Sequence, residues 1–285
     1  MRSVFLWFFL ALLPVAAWPA DRLATVTIVD GELFVMRDAS RYAMAEGTRL
    51  QADDILETSP ASRLVRIEFT AGPIVDIGPA TRLWLAPRFG ERGDKRAARV
   101  YMLEGWAKLT APKQGVDLFA SPWLDITSIA QDVVVAISPE ATRVFAETGE
   151  VQLVERQGGK SVGKPGGMVK LRPGEFYTRG SDPKSSVTPR PSAEFVASVP
   201  RPFLDTLPSR AAQFDAKDVA PKLLGAMSYA EAQPWIDGEA SVRPAFLARW
   251  KRLAQNPEFR KALLANERAH PEWDRVLHPR KYLPP

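Results

Sequence analysis

Two histidines, His270 and His278, are the side chains of this sequence best suited to acid–base or metal chemistry. Glu272 and Asp274 lie beside them, so a metal site can be drawn from these four residues. Their spacing matches none of the recurring ligand patterns, in which paired ligands stand at fixed intervals. His270 precedes Pro271, as a residue at the start of a helix often does. We therefore predict no metal site and no cofactor.

The other candidate catalytic groups are better explained as turns. Ser121 and Ser138 each precede a proline, and the β region around them contains no histidine that would activate a serine. Asp53 and Asp54 are adjacent, so strand geometry points them to opposite faces and makes them poor acid–base partners. The segment 158–161, Gly-Gly-Lys-Ser, lacks the first glycine of a phosphate-binding loop. We predict that the protein is not an enzyme.

The composition excludes several other kinds of site. The chain has 285 residues, of which 46% are hydrophobic and 25% charged, as in ordinary globular proteins. It has no cysteine, which excludes disulfides, a thiol nucleophile and zinc sites built on cysteine. The net charge of +5 is a low charge density for 285 residues. A solvated basic surface explains this charge better than nucleic-acid binding does.

Residues 1–20 have the pattern of a secretory signal. Arg2 provides the positive start, Val4 to Leu13 is an apolar run, and small residues follow at Ala16, Ala17 and Ala20. The run is shorter than the roughly 20 apolar residues of a transmembrane helix. We expect cleavage after Ala17 or Ala20, with an uncleaved N-terminal anchor as the alternative. The sequence thus predicts a protein of the bacterial periplasm, or a secreted one, with no membrane span after signal cleavage.

The elements that would position any site between residues 21 and 180 are short strands. The stretch from Arg63 to Leu85 contains three apolar runs divided by Gly72-Pro73 and Gly78-Pro79, and further along the chain Glu104-Gly105 divides two more. Glycine supplies the backbone freedom that turns need, and proline cannot donate to a sheet. A dozen or more such runs, with breaks every 8 to 12 residues, favour a mainly β fold: an antiparallel sandwich, a barrel or a β-solenoid.

The order of these motifs resembles the FecR domain, a periplasmic module of bacterial iron-siderophore signalling regulators and of many stand-alone exported proteins. The resemblance covers about residues 24 to 155 and lies in these segments: Val29 to Val35, Gly47 with Leu50, Asp54 to Thr58, Val65 to Phe69, Ile77 to Leu85, and Leu103 to Gly105. It implies an exported β domain for protein interaction or ligand sensing, with no catalytic residues.

Two departures from the family narrow that implication. Family members usually carry Asp-Gly-Ser where this chain has Thr70 to Pro73, so we expect a different turn there. The signalling regulators also carry a cytoplasmic anti-sigma segment ahead of a membrane span, whereas this sequence begins with its signal. We therefore expect a stand-alone FecR-like protein without an anti-sigma segment.

The last part of the chain contains two segments whose sequence patterns differ from that of the β region. Residues 181–225 are rich in proline, which predicts an extended linker, and residues 226–285 show helical periodicity, which predicts a small C-terminal helical module. Ser228 with Glu231 forms a capping-box pattern, and Asn256-Pro257 opens another helix. Five aromatic residues are expected to pack inward: Trp235, Phe246, Trp250, Phe259 and Trp273.

The helical module carries the positive charge of the protein. From Arg243 onward the chain has ten Lys and Arg against four Asp and Glu, a net of +6. This charge has two interpretations, a solvated basic surface or a docking patch for an anionic partner formed by Arg249, Lys251 and Arg252. The partner would be an envelope protein or an anionic component of the envelope.

Three functions remain open from the sequence. The first is an exported, non-enzymatic envelope protein that binds a protein partner or senses a ligand. The second is a glycan- or peptidoglycan-binding accessory protein, for which Trp84, Trp106 and Trp123 are the candidate platforms. The third is a hydrolase of an envelope polymer. A row of exposed tryptophans would favour the second function, and a pocket with paired carboxylates the third.

Overall fold

Two β-sheets that share one strand organise the structure, which is a computed structural model. It describes residues 23–70, 72–87, 98–111, 115–156, 165–180 and 184–282, without the side chains of 115–118 and 165. The predicted signal, the segment 158–161 and the last three residues lie outside the described residues. The sheets are almost entirely antiparallel and curl into a half-barrel, with helices toward the C terminus. The predicted mainly β fold with a small C-terminal helical module is confirmed.

The strands are short, as the turn spacing predicts. Their bounds are β1 Ala24–Asp30, β2 Leu33–Arg37, β3 Ser40–Met44, β4 Arg49–Leu50, β5 Ile55–Thr58, β6 Leu64–Phe69, β7 Ile74–Ile77, β8 Arg82–Leu85, β9 Val100–Thr110, β10 Gly115–Ala120, β11 Leu124–Ile129, β12 Asp132–Ile137, β13 Ala141–Ala146, β14 Val151–Arg156, β15 Pro165–Leu171, β16 Phe176–Gly180, β17 Ser185–Thr188 and β18 Lys222–Ala226.

Strand β9 belongs to both sheets. Its first half, Val100 to Glu104, pairs with β8 and, in parallel over two residue pairs, with β10. Its second half, from Gly105 onward, pairs with β7 and β12. Gly105 has φ +105°, a conformation that residues with a Cβ rarely adopt. The sequence reading of Glu104-Gly105 as a break between two runs is therefore wrong, because the strand continues through Gly105 and changes sheet there.

The pairings define the two sheets. Sheet A runs in the order β4, β1, β6, β7, second half of β9, β12, β13, β16, β17. Sheet B runs in the order β18, β3, β2, β5, β8, first half of β9, β10, β11, β14, β15. The three strands predicted between Arg63 and Leu85 are β6, β7 and β8, and they divide between both sheets.

Alternate residues of each strand enter different cores. Val133, Val135 and Ile137 of β12 pack in the core between the sheets, whereas Val134 and Ala136 face the other side of sheet A. On sheet B, the residues that face away from the central core pack under the C-terminal helices, among them Met36, Ile55, Trp84 and Tyr101. Each sheet is thus covered on both faces, which explains why strands such as β12 are apolar at nearly every position.

Most of the segment predicted as an extended linker lies against sheet A, and its last strand, β18, joins sheet B. It contains β17, helix α1 (Ala193–Ser198), the 3₁₀ turns Arg201–Leu204 and Ala211–Phe214, and β18. We call residues 192–217 the strap. Its side chains Phe195 and Phe203 pack on sheet A, and Phe214 is also buried. The segment therefore holds short helices and bonded strands instead of one extended chain, while the proposed domain boundaries stay a prediction.

The helical module covers sheet B. Its α-helices are α2 Tyr229–Ile236, α3 Arg243–Trp250, α4 Pro257–Ala265 and α5 Asp274–Leu277, with 3₁₀ turns at Lys251–Gln255, Glu267–Ala269, Pro271–Trp273 and Pro279–Tyr282. The Ser228–Glu231 capping box and the Asn256 cap form as predicted. The five expected aromatic residues are all buried. Among the described residues, none of the helices has both the length and the hydropathy that crossing a membrane requires.

Candidate functional site

The basic residues predicted as a docking patch divide into two kinds. Lys251 and Arg252 are exposed at the start of the 3₁₀ turn that follows α3. The guanidinium of Arg249 donates instead to the backbone carbonyls of Asp53 and Met36, the second at 3.1 Å. Burial lowers the pKa of Arg249 below its ordinary value. Arg249 thus fastens α3 to sheet B, and Lys251 and Arg252 are the members of the set that present charge to solvent.

The two histidines lie in different surroundings. The side chain of His270 is fully buried, and its Nε2 lies 2.7 Å from the hydroxyl of Tyr229. It makes no side-chain cap bond at the turn that follows it, so its expected role at a helix start is only partly met. His278 is half-buried, with its Nε2 2.8 Å from Glu267 Oε1. The histidines therefore do not converge on one site.

Among the described residues, one group of acidic and imidazole side chains has the separation that a metal ion needs. Glu267, Asp274 and His278 each offer an atom, and these atoms lie within 4.8 Å of one another. Asp274 already accepts hydrogen bonds from the Lys281 ammonium, at 3.0 Å, and from the hydroxyl of Tyr282. These bonds and the nearby His278 lower the pKa of Asp274, which is what a surface salt-bridge network does. The cationic ammonium would oppose a second cation at the same carboxylate.

The tryptophans of the β region do not form an exposed row. Trp84 is buried under the helical module, where its ring lies 4.8 Å from that of Phe246. Trp106 is half-buried and packs on Phe195 of the strap. Trp123 is half-buried as well, but it lies at the edge of an open cleft. Of the three platforms that the sequence offers, Trp123 is the one placed where a ligand can reach it.

This cleft brings Trp123 together with polar side chains from both layers, and we call it the junction cleft. It has a volume of about 390 Å³ and lies where sheet B meets the helical module. Its walls come from β9, from the β10–β11 and β12–β13 turns, and from α2 with the loop after it. The lining residues are Leu103, Glu104, Pro122, Trp123, Ser138, Pro139, Pro234, Asp237, Gly238, Glu239 and Arg243. Its size lies within the range of small-molecule and side-chain pockets.

Local sequence explains the shape of the cleft. Ser121 accepts hydrogen bonds from the N–H groups of Trp123 and Leu124, at 3.3 and 3.1 Å, and so closes the turn that carries the indole. Ser138 closes the β12–β13 turn in the same way, by accepting from the N–H of Ala141 at 3.1 Å. The two serines are therefore structural, as predicted, and the turns that they close form two walls of the cleft.

Three carboxylates line the junction cleft and differ in their partners. Glu104 is bonded to Arg82. Glu239 accepts a hydrogen bond of 3.2 Å from the hydroxyl of Tyr101. Asp237 is the most open of the three, because 44% of its side chain is exposed.

Arg243 supplies a positive charge to the cleft but is committed to the backbone. Its Nε donates to the carbonyl of Gly238 at 2.6 Å, and its Nη2 donates to the carbonyl of Asp237 at 3.3 Å. These bonds hold the loop between α2 and α3 in place. Since both bonds go to backbone carbonyls, Arg243 shapes the wall of the cleft.

Two ion pairs that share Arg82 extend from the cleft along the outer face of sheet B. Arg82 joins Glu104 to Glu57, whose carboxylate it contacts at 2.9 Å. Burial raises the pKa of Glu57 above its ordinary value, and the guanidinium of Arg82 opposes that effect. Two carboxylates, Glu57 and Glu104, around one arginine leave this side of the cleft with a net negative charge.

Sequence reasoning identified some members of this site but did not assemble them. Trp123 and the two Ser-Pro turns were recognised individually, whereas Glu104, Asp237 and Glu239 were not singled out. Asp237 and Glu239 lie more than a hundred residues from Trp123 and Glu104 along the chain, so only the packing of α2 on sheet B brings them together. The available signal was a pair of acids beside a glycine, Asp237-Gly238-Glu239, directly after a capped helix.

Comparisons with known proteins give limited context. No protein-family model matches the chain. No curated protein matches it either. Two crystal structures from Parabacteroides distasonis, each described as a proposed anti-sigma factor, are similar at 15% and 16% identity, with TM-scores of 0.38 and 0.34. The alignments cover 50% and 46% of this chain, and 62% and 58% of those chains, less than two thirds of each.

Proposed function

We propose that the protein is a non-enzymatic binding protein of the bacterial envelope, exported by its N-terminal signal, and that it binds a protein partner at the junction cleft. The observation that carries the proposal is the cleft itself. Turns of the sheets and the helical module form it jointly, and its walls combine an indole, three prolines and three carboxylates. Binding sites in proteins typically combine such apolar walls with a few placed polar groups.

The paired charges elsewhere in the fold hold its backbone together. Arg66 with Asp76 forms a bidentate pair between β6 and β7, and Arg37 with Asp54 forms one between β2 and the turn before β5. The third function that the sequence left open needs an acid and a base that act together on one bond. In the cleft, Glu104 is instead bonded to Arg82, and Glu239 is bonded to Tyr101. These bonds are typical of side chains with a structural role in the wall of a site.

A second candidate function is glycan binding, which Trp123 favours. An indole at the edge of a cleft with carboxylate acceptors nearby is suited to stack on a sugar ring and bond its hydroxyls. One tryptophan is available for this in the cleft, and a long glycan would need further platforms. We therefore rank a protein partner first.

The proposal is tested by photo-crosslinking in the bacterium that encodes the protein. A photoreactive phenylalanine replaces Pro139, which is exposed on the rim of the cleft. The matched control carries the same residue in place of Glu194, exposed on the strap. We expect a discrete adduct of the exported protein from position 139 and none from position 194. Absence of an adduct at 139, or the same adducts at both positions, would contradict the proposal, and cell fractionation checks export.

A further inference from the structure

We infer that the outer face of sheet A is a second protein-interaction surface: it binds an extended main chain, and residues 205–217 of the strap occupy it until a segment of a partner protein replaces them. Three charged side chains hold these residues, and we call them the strap-binding face: Arg49, Arg66 and Glu68. The lining of the junction cleft is made of other residues. The inference therefore goes beyond the proposed function and does not depend on it.

Arg66 binds the first part of the segment through its backbone. Its Nη1 donates to the carbonyls of Leu207 and Pro208, at 3.0 and 3.2 Å. Its Nε and Nη2 donate to the Asp76 carboxylate, which fixes the direction of the guanidinium. A donor whose position is set by the sheet loses little entropy when a peptide binds.

Glu68 and Arg49 bind the rest of the segment, also through its backbone. The Glu68 carboxylate accepts from the N–H groups of Arg210 and Ala211, at 2.8 and 3.2 Å. The Nη2 of Arg49 donates to three further backbone carbonyls, those of Phe214, Asp215 and Lys217. Every peptide presents the same backbone donors and acceptors, so another chain can make these bonds in place of the strap.

Most side chains of residues 205–217 are not used in this contact. Phe214 is buried against Gly47, where an added Cβ would lie 3.2 Å from the Phe214 ring. Three others are half-buried, namely Leu207, Arg210 and Ala211, and the remaining ones are exposed. The segment is thus bound by its main chain and one aromatic anchor. We expect the replacing segment to be extended and to carry an aromatic residue at the Phe214 position.

The sheet face beneath the segment is suited to contact with water. Its outward side chains on β1, β6 and β7 are polar: Thr25, Thr27, Arg66, Glu68 and Asp76. Antiparallel sheets present such residues on a solvated face. By contrast, the earlier part of the strap packs Phe203 on an apolar patch that contains Val134 and Ala136. Removal of residues 205–217 therefore exposes mainly polar groups, whereas removal of the earlier part would expose core.

The chain is fixed on both sides of the segment. Before it, Phe203 is 1% exposed, and its carbonyl accepts a 2.8 Å hydrogen bond from the Lys108 ammonium. After it, β18 pairs with β3 in sheet B. Residues 205–217 are therefore a loop between two anchored points. They can leave the strap-binding face without unfolding the domain, and while bound they compete with any outside peptide at a high effective concentration.

The inference is tested in the full-length chain by loosening the strap from its own side. Phe214→Ala removes the aromatic anchor, and Arg210→Pro removes one backbone donor to Glu68, while the strap-binding face keeps all three of its side chains. Hydrogen exchange at the Ala211 amide should accelerate in both variants. Thermal melting shows that each variant is folded, and the use of two variants protects the test against the failure of one.

The probe is a fluorescein-labelled synthetic peptide of residues 205–217, followed by fluorescence anisotropy. We expect it to bind both variants at least about tenfold more tightly than the wild-type protein, in which the internal strap competes. The matched control peptide is N-methylated at Arg210 and Ala211. It keeps every side chain but loses the two N–H donors to Glu68, so it should bind at least about tenfold more weakly.

A second substitution in the Phe214→Ala protein locates the peptide. Glu68→Gln should weaken its binding about fivefold or more, because the charge of the acceptor is lost. Glu194→Gln, at an exposed position on the earlier part of the strap, should leave the affinity unchanged.

Three results would overturn the inference. The first is accelerated exchange at Ala211 without binding of the peptide. The second is equal binding of the N-methylated peptide, or equal binding by the wild-type protein, because the peptide would then lie elsewhere. The third is unchanged exchange in both variants, which would make residues 205–217 a permanent part of the fold. The adduct at position 139 reports on the junction cleft alone, so the two sites succeed or fail separately.

Discussion

The carboxylate of Glu68 on β6 accepts a 2.8 Å hydrogen bond from the backbone N–H of Arg210 in the strap. The same carboxylate accepts from the Ala211 N–H at 3.2 Å, from the Thr27 hydroxyl at 2.8 Å, and from the hydroxyl of Ser209. Glu68 is 4% exposed, so these bonds replace the water that it loses. One buried acid thereby ties a segment more than a hundred residues away to the outer face of sheet A.

Replacing Glu68 with glutamine should release the strap. Glutamine keeps an oxygen acceptor but loses the charge that strengthens four hydrogen bonds, so we expect a loss of about 2 kcal/mol in the free energy of unfolding. Urea denaturation followed by circular dichroism measures it. Hydrogen exchange at the amides of Arg210 and Ala211 should accelerate. Glu194→Gln, on the same strap but exposed, is the matched control and should change stability by less than about 0.5 kcal/mol.

The same contact should make the strap sensitive to acid. Burial opposes ionisation of Glu68, but the hydrogen bonds from Ser209, Arg210 and their neighbours outweigh it and lower its pKa. A lowered pKa in the folded state gives stability that is present above the ordinary glutamate pKa of about 4.3 and is lost as the pH falls through the lowered value. Exchange at Arg210, corrected for its intrinsic rate, should therefore rise below about pH 4. A rise of the same size in Glu68→Gln would contradict the assignment.

The Arg66–Asp76 pair lies under the strap and should be costly to break. Its two hydrogen bonds measure 2.6 and 2.8 Å, and both side chains are about 5% exposed or less. Asp76→Asn leaves a buried guanidinium without its counter-charge, so we expect a loss of roughly 3 to 5 kcal/mol in unfolding free energy. The exposed pair Lys170–Glu150 is the control, since Glu150→Gln should cost less than about 1 kcal/mol. Similar losses in both variants would refute the distinction.

Gly105 is the position at which β9 passes from one sheet to the other, and it should not tolerate a Cβ. Its φ is +105°, and an added Cβ would lie 2.4 Å from the Thr81 Cα. Gly105→Ala should therefore lose roughly 3 kcal/mol or more in unfolding free energy, through backbone strain and the clash together. Gly167→Ala on β15 is the control, because nothing lies within 4 Å of its added Cβ. Chemical denaturation compares the two, and near-equal midpoints would contradict the expectation.

Local sequence patterns predicted much of the fold because strands, turns and helix caps depend on residues that are close together in the chain. Alternating apolar residues and the turns at Gly72-Pro73 and Gly78-Pro79 determine strands β6 to β8, and capping residues such as Asn256 determine helix starts. Gly105 misled the sequence reading because a glycine in a turn and a glycine in a strand that changes sheet have the same local signature. The two cases are distinguished only by the tertiary structure, in which Thr81 packs directly against Gly105.

The strap and the junction cleft depend on long-range packing and could not be predicted in the same way. Proline content predicted an extended segment, but the residues that hold it, Glu68 and Arg66, lie on strands far earlier in the chain. Asp237 likewise reaches the cleft only because α2 packs on sheet B. In the sequence, each of these side chains looks like an ordinary charged residue, because its partner lies far away along the chain.

If the helical module docks on an anionic surface, one of the two interpretations that the sequence leaves open, the exposed pair Lys251 and Arg252 should carry that docking. Each basic residue near an anionic membrane surface contributes about 1 kcal/mol, so Lys251→Gln combined with Arg252→Gln should weaken binding to vesicles containing phosphatidylglycerol roughly 30-fold. Vesicle co-sedimentation at low and high salt measures the change. The interaction should weaken steeply with salt.

Arg249 distinguishes docking from stability in the same experiment. Because its guanidinium donates to the carbonyls of Asp53 and Met36, Arg249→Gln should lower the melting temperature, whereas the Lys251 and Arg252 changes should not. Arg201→Gln combined with Lys222→Gln removes the same charge from exposed positions outside the module and serves as the matched control. Equal losses of vesicle binding in the two double variants would show that net charge, and not a patch at Lys251 and Arg252, drives the interaction.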